Sequence, residues 1–173
     1  MLSAKMIKAL NEQIAMEGYA SFLYLAKAGW FEGMSMQGCA AFMYRQSQEE
    51  NEHMMKIFHY LVEMDATPIV PAIAQPPAKF KDVKAIFEDT LTHEQKVTKA
   101  INDLVELAMK EGDHATYGFL QWYVTEQREE EGLMRSILDT INLIGSGGQS
   151  LYFIDKEIEA INKATLKAES AGE

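Results

Sequence analysis

Cysteine is almost absent: Cys39 is the only one in 173 residues. An intramolecular disulfide is therefore excluded, and so is a Cys-rich zinc or iron–sulfur site. The four prolines all fall between Pro68 and Pro77, so no other segment carries this helix breaker. Basic residues are outnumbered by acidic ones, 16 to 26, for a net charge of −10. Nucleic acid and anionic membranes are poor partners for such a chain, and cations are favoured. No apolar run approaches ~20 residues, and the N-terminus lacks the basic-then-apolar pattern of a secretory leader. The expectation is a soluble, cytoplasmic protein with no nucleic acid and no membrane partner.

What is present suits one compact helical domain over residues 1–173: 47% of residues are apolar, and the chain is long enough for a sizeable core. The 11 methionines read most simply as adaptable core filler. With Ser3 as N-cap, helical periodicity runs over about 4–32, with Met6, Leu10, Tyr24, Ala28 and Phe31 on one stripe. A second helix covers about 36–65, after the break at Gly33 to Ser35. The proline-bearing stretch, about 66–82, is long enough to run along a bundle and join two helices in parallel. A third helix spans about 83–111 and a fourth about 113–144, separated by Gly112-Asp113. After Gly145-Ser146-Gly147-Gly148, a shorter fifth helix covers about 150–167 and packs at one end of the bundle or against another subunit. The predicted fold is all-α, a four-helix bundle with one long crossover plus a short C-terminal helix, each long helix being ~40 Å at 1.5 Å per residue.

Each long helix carries a polar residue at the middle of its apolar stripe. Glu17 and Glu50 are 33 positions apart, as are Glu94 and Gln127, and a single offset of 77 maps Glu17 to Glu94, Glu49 to Glu126, Glu50 to Gln127 and His53 to Glu130. Glu50-x-x-His53 and Gln127-x-x-Glu130 place two potential ligands on neighbouring positions of one helix face. A single Glu on such a stripe is ordinarily a helix-end or seam residue paired with Lys or Arg. Four helices doing so at mid-length, with only Lys27 at the edge of the first stripe as a counter-ion, is different. Buried carboxylates must then be protonated, hydrated or metal-bound, and metal is the economical answer. Carboxylates, an imidazole and an amide without thiolate favour iron, manganese or zinc. Glu50 is placed to bridge two ions, one also held by Glu17 and His53, the other by Glu94 and Glu130 with Gln127 nearby.

Over nearly its whole length the chain resembles the bacterial non-haem ferritins. The resemblance rests on Leu10-Asn11-Glu12-Gln13 ahead of Glu17 and Tyr24, Gln48-Glu49-Glu50 with His53, and His93-Glu94-Gln95. It continues through Phe119 to Val124, Glu126-Gln127, Glu129-Glu130-Glu131 and Leu151 to Glu157. It implies a hollow homo-oligomer of twenty-four subunits that oxidises iron(II) with dioxygen or hydrogen peroxide and stores ferric mineral. It also implies a di-iron ferroxidase centre of Glu17, Glu50, His53, Glu94, Gln127 and Glu130. A third iron site then falls to Glu49, Glu126 and Glu129, with Glu130 bridging to it. Tyr24, one heptad after Glu17, resembles the tyrosine that supplies an electron during oxygen reduction; a core tyrosine bonded to a carboxylate is an equally good reading, and the two are compatible. Trp122 reads as packing. Haem is not expected, because the haem-ligating Met that follows the first bridging Glu in bacterioferritins is replaced by Asn51, and their second Glu-x-x-His is Gln127-x-x-Glu130. Where classical three-fold channels carry acidic residues, this chain reads Ala115 to Leu120, with Asp113 and His114 the polar candidates nearby. That leaves a route for iron through the bundle itself open.

Two other readings compete: a metal-free bundle serving as a structural or interaction shell, and a di-iron oxidase that consumes oxygen or peroxide and stores little.

Overall fold

Helix starts follow from capping side chains. Ser3 accepts a hydrogen bond from the Met6 amide (2.9 Å), Asp82 from Ala85 (2.8 Å) and Asp113 from Thr116 (3.0 Å). Each satisfies an amide that the first helical turn would leave bare. In the computed structural model, which describes residues 2–172 (side chains of 2–167), they open α1 (Ala4–Gly33), α3 (Val83–Glu111) and α4 (His114–Ile144). The other helices are α2 (Gln37–Glu63) and α5 (Ser150–Gly172). Gly112 ends α3 in the left-handed region (φ 66°), where a side chain would be strained.

Three contacts between helix ends fix the directions. Ser3 donates to Glu111 (2.7 Å), so the end of α3 lies beside the start of α1 and the two are antiparallel. The hydroxyls of Tyr60 and Thr116 are 2.8 Å apart, placing the start of α4 beside the end of α2. Val83, Ile86 and Phe87, at the start of α3, share a buried cluster with Met36, Cys39 and Phe42, at the start of α2. Helices α2 and α3 are therefore parallel, and residues 64–82 cross the length of the bundle without helix. Asn11 holds this crossover by accepting the Ile69 amide (2.6 Å), and Ile73 passes so close to Gly18 that a Cβ there would collide with it. The all-α bundle with one long crossover is the architecture expected from the sequence.

Burial of the stripes produces two cores. One gathers Tyr24, Phe31, Met43, Phe87 and Ile137, the other Leu10, Ile14, Ile57, Val97 and Tyr123. Each such side chain removed from water stabilises the fold by roughly 1.5–3 kcal/mol. Glu17, Glu50, His53, Glu94, Gln127 and Glu130 are all buried and belong to neither cluster. They form a polar layer between two apolar halves.

Helix α5 packs at one end, mainly against the start of α2. Ile154 and Ile158 join the first cluster. Asp155 accepts the Cys39 amide (2.9 Å), supplying the cap that Met36 cannot and placing a carboxylate at the positive end of α2. The approach depends on Gly38, where an added Cβ would run into the Asp155 carbonyl. Among the described residues no helix is long and apolar enough to cross a membrane.

Candidate metal centre

Every carboxylate of the polar layer except Glu50 is held by an amide. Gln13 Nε2 donates to Glu17 Oε1 (2.8 Å), Gln127 Nε2 to Glu94 Oε2 (3.0 Å), and Gln46 Nε2 to Glu130 Oε2 (3.1 Å). The Tyr24 hydroxyl donates to Glu94 Oε1 in a short hydrogen bond. Gln13 and Gln46 are site residues that sequence reasoning passed over. Gln13 lies four positions before Glu17, on the same helix face, and that spacing was the available signal. Gln46 reaches across to Glu130 on α4, a pairing no local spacing reveals.

Glu17 Oε2, Glu50 Oε1 and His53 Nδ1 are buried with no hydrogen-bond partner. His53 Nδ1 faces Glu50 Oε2 at 3.4 Å without bonding it, while Nε2 points toward Glu126 Oε1 at 3.9 Å. A carboxylate oxygen and a neutral imidazole nitrogen held this close repel unless a proton or a cation lies between them. Among the described residues, Glu17, Glu50 and His53 are the group of three whose ligand atoms all lie within 4.8 Å of one another. Two buried carboxylates and an imidazole gathered this closely, each with an unpartnered ligand atom, are the donor set a borderline divalent cation takes. The residues present therefore fit a metal ion.

Electrostatics agree. Burial pushes Glu17 up to about 7, with the Gln13 amide opposing the shift. Burial and the charges of the other layer carboxylates push Glu50 and Glu130 well above the usual carboxylate range, and burial raises Glu94 as well. His53 is lowered to about 4 by burial, so its imidazole stays neutral and able to ligate at ordinary pH. Tyr24 is raised, by burial first and by the neighbouring Glu94 second.

The remaining sequence-predicted residues are less gathered. Glu94 and Glu130 lie in the layer but are tied to Tyr24, Gln127 and Gln46. Glu49 is engaged by Arg45, and Glu126 is half-buried beside His53. Glu129 is exposed next to Arg128 (3.6 Å), so Glu49, Glu126 and Glu129 do not converge on a common point. Trp122 packs its edge against His53, with ring centroids 5.3 Å apart, in line with a packing role. Lys27, placed by the sequence at the edge of a stripe, is instead fully buried, because Asp89 and Thr90 of α3 receive its ammonium.

A family model of the ferritin-like domain matches residues 7–144. The chain is 42% identical over 162 residues to a bacterial non-haem ferritin of Escherichia coli O6:H1, covering 94% of this chain and 98% of that one. It is 45% identical over 161 residues to a bacterial non-haem ferritin of Campylobacter jejuni, covering 93% and 96%. Among solved structures it is similar to an open-pore ferritin of the hyperthermophilic archaeon Archaeoglobus fulgidus, with a TM-score of 0.89 at 43% identity, covering 91% of this chain and 96% of that one.

Proposed function

The chain belongs to the ferritin family, and we propose that it stores iron, taking iron(II) as substrate, oxidising it within each subunit and depositing ferric mineral inside a hollow shell of twenty-four cytoplasmic copies. The observation that carries this reading is the convergence of Glu17, Glu50 and His53, each with a buried unpartnered ligand atom, inside a layer of buried carboxylates. A structural shell without metal has no use for that arrangement, which lowers stability unless a cation fills it.

In this reading one iron(II) is held by Glu17, Glu50 and His53 Nδ1. A second is held by Glu50, Glu94 and Glu130, with Gln127 at its edge. Glu50 serves both, which is why it is the layer carboxylate without an amide of its own. Each iron(II) gives up one electron, and a pair of them reduces dioxygen to the peroxide level or hydrogen peroxide to water. Tyr24 can add a further electron while its phenolic proton passes to Glu94, to which it is already bonded. The side with no imidazole binds less tightly, so oxidised iron leaves from there. Glu49, Glu126 and Glu129, with Glu130, form a third site once Arg45 releases Glu49 and Glu129 turns inward. Asn51 offers no haem ligand. Exposed Phe22, Leu25, Ile69 and Val70 give the subunit apolar surface to bury against neighbouring copies.

Storage separates this function from an oxidase that merely keeps its metal. Metal-free protein given successive portions of iron(II) in air is expected to remain soluble while its iron content climbs far beyond its ligand sites. A plateau at about two or three irons per subunit would instead describe an oxidase with a resident di-iron site.

A further inference from the structure

Lys27 is the one ionised side chain of the bundle interior, among the described residues, that the proposed chemistry leaves without a role. It lies on α1 three residues after Tyr24 and is fully buried. Its Nζ donates to Thr90 Oγ1 (2.8 Å) and pairs with Asp89 Oδ2 (2.9 Å), and it sits 5.1 Å from the centroid of the Tyr24 ring. Thr90 is itself fixed by donating to the Ile86 carbonyl (2.8 Å), so the ammonium has a rigid seat. Burial opposes its charge, but Asp89 favours it.

The two ends of this arrangement are unequal. The Asp89 side chain is 57% exposed, so much of its charge is screened by water. The Lys27 side chain is 0% exposed, so toward the protein interior the positive field is only partly cancelled. Glu94 lies four residues beyond Thr90, ~6 Å further along α3 at 1.5 Å per residue. The Tyr24 ring beside the ammonium carries the hydroxyl that donates to Glu94, so the positive charge stands one ring away from the carboxylate layer.

We propose that Lys27 is a positioning residue whose fixed ammonium weakens cation binding on the Glu94–Glu130 side of the layer, so that iron bound there is passed on rather than retained. This rests on the reading of Glu94 and Glu130 as an iron site. It gives the bundle a second cause of asymmetry, beside the single imidazole on the Glu17 side. Asp89 limits the effect: without it, the ammonium would repel incoming iron(II) more strongly.

The test is calorimetric titration of the intact, metal-free protein with zinc(II), a redox-silent cation. Lys27→Met, of similar length but uncharged, is expected to tighten the weaker class of sites about tenfold, a modest share of the Coulomb energy between a unit charge and a dication across ~10 Å. Lys27→Arg is expected to keep the original affinity. Asp89→Asn, which removes a surface carboxylate and leaves the ammonium uncompensated, is expected to weaken the same sites about threefold or more. Opposite shifts from the two partners of one ion pair are the signature of a field. A merely structural role would weaken binding in both variants, and that result overturns the proposal. An unchanged weaker class in Lys27→Met overturns it too. Should Lys27→Met not fold, Asp89→Asn and Lys27→Arg decide, since unchanged or tighter binding in Asp89→Asn is equally fatal. If the unmodified protein binds no zinc(II), the iron-site reading fails and takes this inference with it; if it binds but neither variant shifts the affinity, only this inference fails.

Discussion

Glu50→Ala is expected to abolish rapid iron(II) oxidation, slowing the initial rate at least about hundredfold toward that of iron in buffer. Glu50 is the only carboxylate assigned to both irons, so its removal separates the ions instead of merely weakening one of them. The loss is not expected to come from unfolding. Glu50 sits among Glu17, Glu94 and Glu130 with one oxygen unpartnered, and deleting a buried acceptor of this kind relieves the metal-free protein even as it opens a small cavity. The melting temperature of metal-free Glu50→Ala should therefore match or exceed that of the unmodified protein. Glu129→Ala is the contrasting variant, because Glu129 is exposed and belongs to the proposed third site. It should leave the first rapid phase intact and alter the later one. Stopped-flow traces of both variants distinguish the cases, and equal loss of the first phase would show that the division into centre and third site is wrong.

The second large effect is on stability, and its direction follows from the carboxylates. Burial raises Glu17 from the ordinary 4.5 to about 7, and raises Glu50, Glu94 and Glu130 as well. Over that range the folded protein binds protons that the unfolded chain has already released. Glu17's share of the stabilisation is thus complete below about 4.5 and is lost as the pH rises through about 7, and the other three act in the same direction. Metal-free protein should melt several degrees lower at pH 8 than at pH 5. A divalent cation replaces the missing protons, so zinc(II) should restore the melting temperature at pH 8 and do little at pH 5, where protons compete for the same oxygens. His53 stays neutral down to about 4 and does not limit binding in this window. Scanning calorimetry with and without zinc(II) at the two pH values measures this directly. An equal rise at both would place the cation outside the carboxylate layer.

The fold and the centre were legible in the sequence to different depths. Helical periodicity marks which residues face inward, and a carboxylate in the middle of an inward stripe is visible in one dimension. Glu17, Glu50, Glu94 and Gln127 stand out for that reason, and the repeated spacing ties them together. Partners on other helices are invisible to the same arithmetic. Lys27 looked peripheral because its burial depends on Asp89 and Thr90, sixty-odd positions away on α3. Likewise the place of α5 depends on Gly38 of α2 and on the Asp155 backbone meeting there. The family resemblance, not periodicity, singled out Glu49, Glu126 and Glu129, and their separate directions come from Arg45, His53 and Arg128. Gln13 was accessible and overlooked, since a glutamine one turn before a buried glutamate is a donor in reach of it. Gln46 was not, because the carboxylate it holds is Glu130 of α4, 84 positions away.

The central assignment is the pair of iron sites within one bundle, and anomalous diffraction at the iron edge tests it most directly. Crystals prepared with iron(II) in the absence of oxygen are expected to show two peaks between the two apolar cores. One should be ligated by Glu17, Glu50 and His53 Nδ1, the other by Glu50, Glu94 and Glu130. Iron confined to surface carboxylates, with the layer between the cores empty, would contradict it.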